Sequence, residues 1–332
     1  MEGSPVKDVI AMTRMRIDKN FLRKYGTVLG AVLIFIVFSF TANNFFTTGN
    51  LFLLLRQMSM LTIIALGFTF VMAAGGFDMS IGNTTGLVSI LFAIVLLSTH
   101  SFLAALLAAF VAGALVGSVN GLLVAGIGLP DFIGTFAVGS IVYGVKMLIT
   151  KGNPIFFDKG ISPVFLFIGQ GYVGPVPFPV ILMFLFVALT ILTLIKTTLG
   201  RRVYAIGGNT TAAMYAGINI RRYRFITFLI SGLSVSIAAI ILTSRLGSAQ
   251  PLAGEDFLLD AISVVFLSTT MFGEGEPTAG GTFVGALIIS MLNNGLTMLN
   301  VAYYFQYITK GLVVIFAVVL SVILGQRLRV KF

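Results

Sequence analysis

Residues 196–224 read KTTLGRRVYAIGGNTTAAMYAGINIRRYR, and the rest of the chain is arranged around them. The stretch holds six cations, Lys196, Arg201, Arg202, Arg221, Arg222 and Arg224, and no acid, between two strongly apolar segments. Asn209 is a good N-cap, Thr210 to Ala216 make about two turns of helix, and Gly217 stands where such a helix stops. A helix of about seven residues is not stable alone in water. It must be held against something, either the rest of this chain or a partner. The reading adopted is that it is a partner's docking site.

Composition sets the surroundings of that stretch. The 332 residues are 58% hydrophobic and only 10% charged, where a soluble domain carries about 25% charge. The deficit is too large to be a core effect and makes this a membrane protein with many spans. The net charge of +10 has its explanation in the positive-inside rule, since no basic surface domain exists to bind nucleic acid. There is no cysteine, so thiol chemistry is excluded, and the single histidine, His100, has no second ligand with which to hold a metal.

A span takes about 20 mostly apolar residues. That ruler gives ten candidates: 25–42, 51–73, 83–98, 102–125, 131–150, 176–195, 224–244, 257–272, 279–299 and 303–325, of which 83–98 and 257–272 are short. The expected fold is an all-α polytopic membrane protein of about ten transmembrane helices, some interrupted, with one short cytoplasmic helix. Residues 1–24 are expected as an uncleaved cytoplasmic start, with Val6, Ile10, Ile17 and Phe21 at the spacing of a surface-lying helix. Residues 25–325 form the transmembrane domain and 326–332 a cytoplasmic tail. With both termini inside, six cations before the first span, six in 196–224 and three at the C-terminus put fifteen of 21 on one side. Two outer segments remain, 151–175 and 244–257; both are turn-rich, and either binds a delivery protein or closes the bundle.

Two apolar segments are broken in similar ways, by AAGGFDMSIGNTTG at 73–86 and by FGEGEPTAGG at 272–281. Irregular backbone at membrane depth needs protein or a water-filled cavity around it, and paired breaks point to an internal repeat, here a parallel one. Glu274 and Glu276 are expected in a cytoplasmic turn facing the basic loop. Asp78 either binds substrate at a gate or caps the following helix, and the cap is the plainer role. Gln57, Asn120, Asn293 and Asn294 complete a candidate substrate path for a polyhydroxylated solute, with helix–helix hydrogen bonding the simpler alternative for any one of them. Gly113, Gly117 and Gly121, with Gly281 and Gly285, form seams for close helix approach.

No P-loop motif occurs, and GGN at 207–209 lacks the flanking units of a dinucleotide fingerprint. A catalytic role has nothing to stand on. Ion-coupled transport would rest on Asp78 and Asp131 alone, a thin basis for a stand-alone secondary transporter.

Five ordered blocks carry a resemblance. AAGGFDMSIG (73–82), GLPDFIGTFAVGSIVYG (128–144), LGRRVYAIGGNTTAAMYAGINIRRYRF (199–225), SRLGSAQPLAGEDFLLDAISVVFLSTT (244–270) and GTFVGALIISMLNNGLTML (281–299) resemble the permease subunit of ribose-type monosaccharide ABC importers. The resemblance runs from about residue 50 to the end. It departs from the family at GGFDMS, which usually reads GGIDLS, and at STTMFGEGEP, where the turn is more acidic. It implies a prokaryotic plasma-membrane protein with both termini cytoplasmic. Its implied partners are cytoplasmic ATPase subunits, a second permease copy or homologue, and an extracytoplasmic sugar-binding protein. ATP and Mg would sit on the ATPases, and this chain would hold no cofactor. Asn209, Thr210, Thr211, Ala212, Ala213, Tyr215, Ala216, Gly217 and Asn219 would form the coupling helix entering a cleft on the ATPase, with Ala212, Ala213 and Ala216 permitting close approach. Related permeases carry other sugars, inositol, signalling furanoses, nucleosides or branched-chain amino acids.

Overall fold

The computed structural model describes residues 19–157, 162–271 and 275–329. The expected surface helix before residue 19, and Glu274, fall outside them. The chain runs α1 (Lys19–Thr41), α2 (Thr48–Ala73), α3 (Ile81–Thr99), α4 (Phe102–Gly121, continuing as a π turn over Leu122–Ile127) and α5 (Asp131–Thr150). After β1 (Ile155–Phe156) come α6 (Pro163–Gln170), β2 (Tyr172–Val173), β3 (Val176–Pro177) and α7 (Phe178–Lys196). The remainder is α8 (Thr198–Gly208), α9 (Thr210–Tyr215), α10 (Ile220–Leu246), β4 (Ser248–Ala249), α11 (Asp256–Thr269), α12 (Ala279–Met298) and α13 (Tyr303–Arg329).

Each of the ten expected spans falls on a helix. Seven of these are long and apolar enough to cross a bilayer, while the described apolar parts of α1 and α13, Thr27–Thr41 and Tyr303–Val319, are shorter. The short segment at 83–98 reaches 19 residues as α3, but 257–272 yields only the 14 residues of α11. Both expected domain boundaries fall inside helices, since α1 starts before residue 25 and α13 continues past 325.

Apolar residues all round a helix mean burial on all sides. α2, α3 and α10 have two-thirds of their apolar window buried (67%) and form the centre, whereas α4, α5 and α7, at 33%, form the rim. The glycine seam on α4 works as its spacing predicts. A Cβ on Gly113 would lie 2.4 Å from the Gly232 carbonyl of α10, and one on Gly117 would lie 2.5 Å from that of Phe228. The side-chain-free face of α4 therefore lets two backbones meet.

The irregular segments at membrane depth are packed against protein. The first, residues 74–80, runs from the end of α2 to the start of α3. A further irregular segment follows α10, where Ser248, Ala249, Pro251 and Gly254 are buried. A Cβ on Gly82 would sit 3.0 Å from the Gly254 carbonyl, and one on Gly86 only 2.4 Å from that of Pro251. Both breaks thus satisfy their irregular backbone against protein. Gly67 of α2 meets Ser231 and Ser234 of α10, while Gln57 shares a cavity with Arg245. α2 and α10 therefore run in opposite directions.

The described residues of the first outer segment, 151–157 and 162–175, close the bundle over the end of α10. Phe165 of α6 is fully buried, and Ser244 of α10 donates to its carbonyl at 2.5 Å and accepts the Gly169 amide at 2.8 Å. Antiparallel pairing of β1 with β4 ties this segment to the second break.

Candidate functional site

Several polar centres lie among the described residues of the bundle. At one end sits the basic loop. Thr197 caps α8 by accepting the Gly200 amide at 3.3 Å. α8 buries Gly200, Val203 and Ile206 and leaves Arg201 and Arg202 exposed. Gly207 packs so closely on the end of α2 that a Cβ would lie 2.1 Å from the Ala73 carbonyl. Tyr204 donates to the Pro277 carbonyl at 2.8 Å, and Glu276 lies beside Gly208, as expected of an acidic turn facing this loop.

α9 is built from the caps the sequence indicates. The side-chain Oδ1 of Asn209 accepts the Ala212 amide at 2.9 Å. At the other end Gly217, at φ 77°, lets its own amide and that of Ile218 reach the Met214 and Ala213 carbonyls, each at 3.0 Å. Asn219 caps the next helix, accepting the Arg222 amide at 3.1 Å. Thr210, Thr211, Ala212, Ala216 and Gly217 are exposed, and Tyr215 is 83% exposed. Ala213 is the exception. It is buried against Ile206 and Tyr223, so it fastens α9 to this chain rather than presenting a surface. Met214, 55% exposed beside Tyr215, shares the outward face and was not singled out from the sequence.

The five candidate path residues separate into three places. Asp78 and Asn120 meet at the first break. Oδ1 of Asp78 accepts the Ser80 amide at 2.9 Å, the Ser80 hydroxyl at 2.7 Å and Asn120 Nδ2 at 3.4 Å, while Oδ2 accepts the Ser231 hydroxyl at 2.9 Å. Ser80 itself holds the N-cap position of α3. Asp78 thus secures the helix start from two residues upstream and bolts it to α4 and α10. The cleft between these residues has no room for a water molecule. Asn294 exchanges reciprocal 3.0 Å hydrogen bonds with Asn50, a helix–helix link.

Gln57 and Asn293 line a cavity of about 270 Å³ at the end opposite the basic loop, together with Arg245, Asp256, Asp260 and Lys310. Lys310 Nζ lies 3.0 and 3.2 Å from the two oxygens of Asp260, and Asn293 Nδ2 donates to the same carboxylate at 3.0 Å. Tyr307 donates to Asp256. Beside the cavity, Arg56 lies over the Tyr172 ring, 4.8 Å from its centroid. None of the charged residues here was singled out from the sequence. Spaced along four different helices, they give no local signal.

An apolar bundle with an exposed capped helix at one end and a polar cavity at the other defines a multi-pass membrane protein of the transport class. Residues 50–318 match a family described as the branched-chain amino acid transport system permease component. The chain belongs to that permease family. It is 39% identical to the ribose import permease of Bacillus subtilis, across 90% of this chain and 93% of that one. The D-allose transport system permease of Escherichia coli is 33% identical, with 92% and 94% covered. The galactose/methyl galactoside import permease of the same species is 30% identical, with 91% and 95% covered. No solved structure matches the chain.

Proposed function

We infer that the chain is the permease subunit of an ATP-driven monosaccharide importer. The observation that carries this is its likeness along nine-tenths of its length to a ribose import permease, with allose and galactose permeases beside it. These relatives favour a sugar over the amino acid in the family's description. The basic loop faces the cytoplasm with both termini, and the cavity end faces the sugar-binding protein that delivers the substrate. Cytoplasmic ATPase subunits carry ATP and Mg, and a second permease completes the assembly.

Coupling follows from the loop. Tyr215 and Met214 offer apolar surface to an ATPase cleft, while Asn209 and Gly217 hold α9 in shape. Closure of the ATPase pair moves α9, and α8 passes the motion to the end of α2 through the Gly207–Ala73 contact. The test is the assembled complex in liposomes. Tyr215→Ala is expected to reduce substrate-stimulated ATP hydrolysis at least tenfold with the protein still inserted; unchanged stimulation refutes the docking role. Uptake under an ion gradient without ATPases would instead establish a stand-alone transporter.

A further inference from the structure

We propose that Arg245 and Arg56 form an anion site in the cavity opposite the basic loop, taking one carboxylate. Arg245 lies in the last turn of α10 and lines that cavity. Arg56 of α2 stands close enough for its charge to act on Arg245. One short segment reaches both. Gln170 Nε2 donates to the Ser244 carbonyl at 2.8 Å, and two residues on, the Tyr172 ring lies against Arg56, its centroid 4.8 Å away.

Two neighbouring cations repel, and taking them out of water adds to the cost. Each acid at this end already has a partner. Asp260 pairs with Lys310, Asp256 accepts the Tyr307 hydroxyl, and Glu255 accepts the Lys146 ammonium. Among the described residues no acid lies within ion-pair distance of either guanidinium. Nε and Nη2 of Arg56 are buried without a hydrogen-bond partner. The Tyr172 face favours a cation at Arg56, and the last carbonyls of α10 favour one at Arg245, but neither supplies a negative charge. A bound anion does.

The balance of charge selects a carboxylate. Arg56, Arg245 and Lys310 stand against Asp256 and Asp260, which leaves one positive charge. A carboxylate cancels it, and a phosphate dianion overshoots. Arg245, whose side chain lines the cavity, offers the planar fork that matches two carboxylate oxygens. The buried Nε and Nη2 of Arg56 present no surface to a ligand, so Arg56 acts through its charge and not by contact. The cavity, about 270 Å³, has room for one small acidic solute or the end of one acidic side chain from the delivery protein. The site stands on these charges alone; only its two sources of carboxylate rest on the sugar-importer reading.

The absence of native cysteine makes a clean test available. Ala253 lines the same cavity and takes no part in the charge pairs, so Ala253→Cys leaves the site intact. In the full transporter in nanodiscs, that thiol is labelled with methanethiosulfonates carrying either a sulfonate or a trimethylammonium group. The ratio of the two rates, relative to a free thiol, reads the local potential. It is expected to favour the anionic reagent about fivefold or more, to fall toward the free-thiol value with Arg245→Gln and to be kept by Arg245→Lys. Arg56→Gln is expected to lower it in part, and decides the matter if Arg245→Gln fails to fold. A ratio no higher than that of a free thiol, or one that neither glutamine variant changes, overturns the site.

At constant ionic strength, a neutral methanethiosulfonate then reads occupancy by D-galacturonate, propionate and D-galactose. At least one carboxylate is expected to slow labelling about threefold or more, at a lower concentration than D-galactose needs. Galacturonate acting at a tenth of the propionate concentration or less assigns the carboxylate to the solute; any weaker preference assigns it to a side chain reaching in. Equal slowing by D-galactose, or none by either carboxylate, overturns the proposal. Labelling measures no transport, so the importer reading stands or falls separately, on wild-type uptake of sugar in liposomes.

Discussion

Arg224 Nη2 donates to Asp131 Oδ2 at 2.5 Å, and the same oxygen accepts the Phe77 amide at 3.0 Å. One carboxylate thus joins three pieces of chain: the first turns of α10 at the end of the basic stretch, the start of α5, and the first break. Asp131→Ala removes an ion pair and a charge-assisted backbone bond together. Two such bonds would be worth about 3 kcal/mol at the low end, and because both side chains are partly exposed the expected loss is reduced to about 2 kcal/mol. Asp131→Asn retains an acceptor for Phe77 and is expected to lose about half as much. Thermal unfolding in detergent checks the order; equal stability of the two variants and wild type would show that the junction carries no load.

Asp78 receives four hydrogen bonds, three on Oδ1 and one on Oδ2. Asn in its place keeps the three by leaving its carbonyl at the Oδ1 position, and the Ser231 hydroxyl can rotate to accept from the new amide. The cost of Asp78→Asn is therefore expected at about 1 kcal/mol, with transport retained. Asp78→Ala strands several buried donors and is expected to prevent stable folding. Sugar uptake and thermal unfolding read both. Abolished transport by a well-folded Asp78→Asn protein would mean that the charge itself is used.

How far the sequence reaches follows from where the information lies. Spans are legible because hydrophobicity is local, and so are Asn209 and Gly217, whose capping roles involve residues three or four away. α8 is not legible as a helix because Gly200, Gly207 and Gly208 lower its propensity. Its helix is stabilised by packing instead, with Gly207 on Ala73 and Ile206 against Ala213. Residues 247–255 looked like an outer loop for the same reason. Their proline, glycines and acid suggest solvent, and only contact with Gly82 and Gly86, far away in the chain, turns the segment inward. The cavity was half legible. Gln57 and Asn293 stood out as polar groups in apolar runs, whereas Asp260 and Lys310 are explained only by each other.

Lys146 of α5 has no exposure, and its ammonium donates to Asn83 at 2.9 Å and to Glu255 at 3.2 Å. The side chain of Glu255 is 44% exposed. The pair is therefore asymmetric. Lys146→Met removes the buried charge and leaves a carboxylate that water can solvate, so a loss of about 1 kcal/mol is expected. Glu255→Ala leaves the buried ammonium with one neutral acceptor, for which about 3 kcal/mol is expected. The double variant is expected to recover most of that loss. Unfolding midpoints of the four proteins form the cycle, and a milder Glu255→Ala than Lys146→Met would contradict the burial argument.

The seam between α4 and α10 gives the sharpest steric prediction. A Cβ on Gly113 would lie 2.0 Å from Ser236 Oγ and 2.4 Å from the Gly232 carbonyl. Ser236 has little freedom to yield, since its hydroxyl is bonded to the Ala109 carbonyl at 2.9 Å and to that of Gly232 at 3.1 Å. The helices must then separate, and contact along the whole seam is lost. Gly113→Ala is expected to cost more than the roughly 1–3 kcal/mol of ordinary overpacking, and Gly113→Val to abolish recovery of folded protein. Gly126, with nothing within 4 Å of its Cβ position, supplies the comparison. Gly126→Ala is expected to unfold within a few degrees of wild type. If Gly113→Ala matched it in a detergent melting experiment, the backbone contact would not be what holds α4 to the centre.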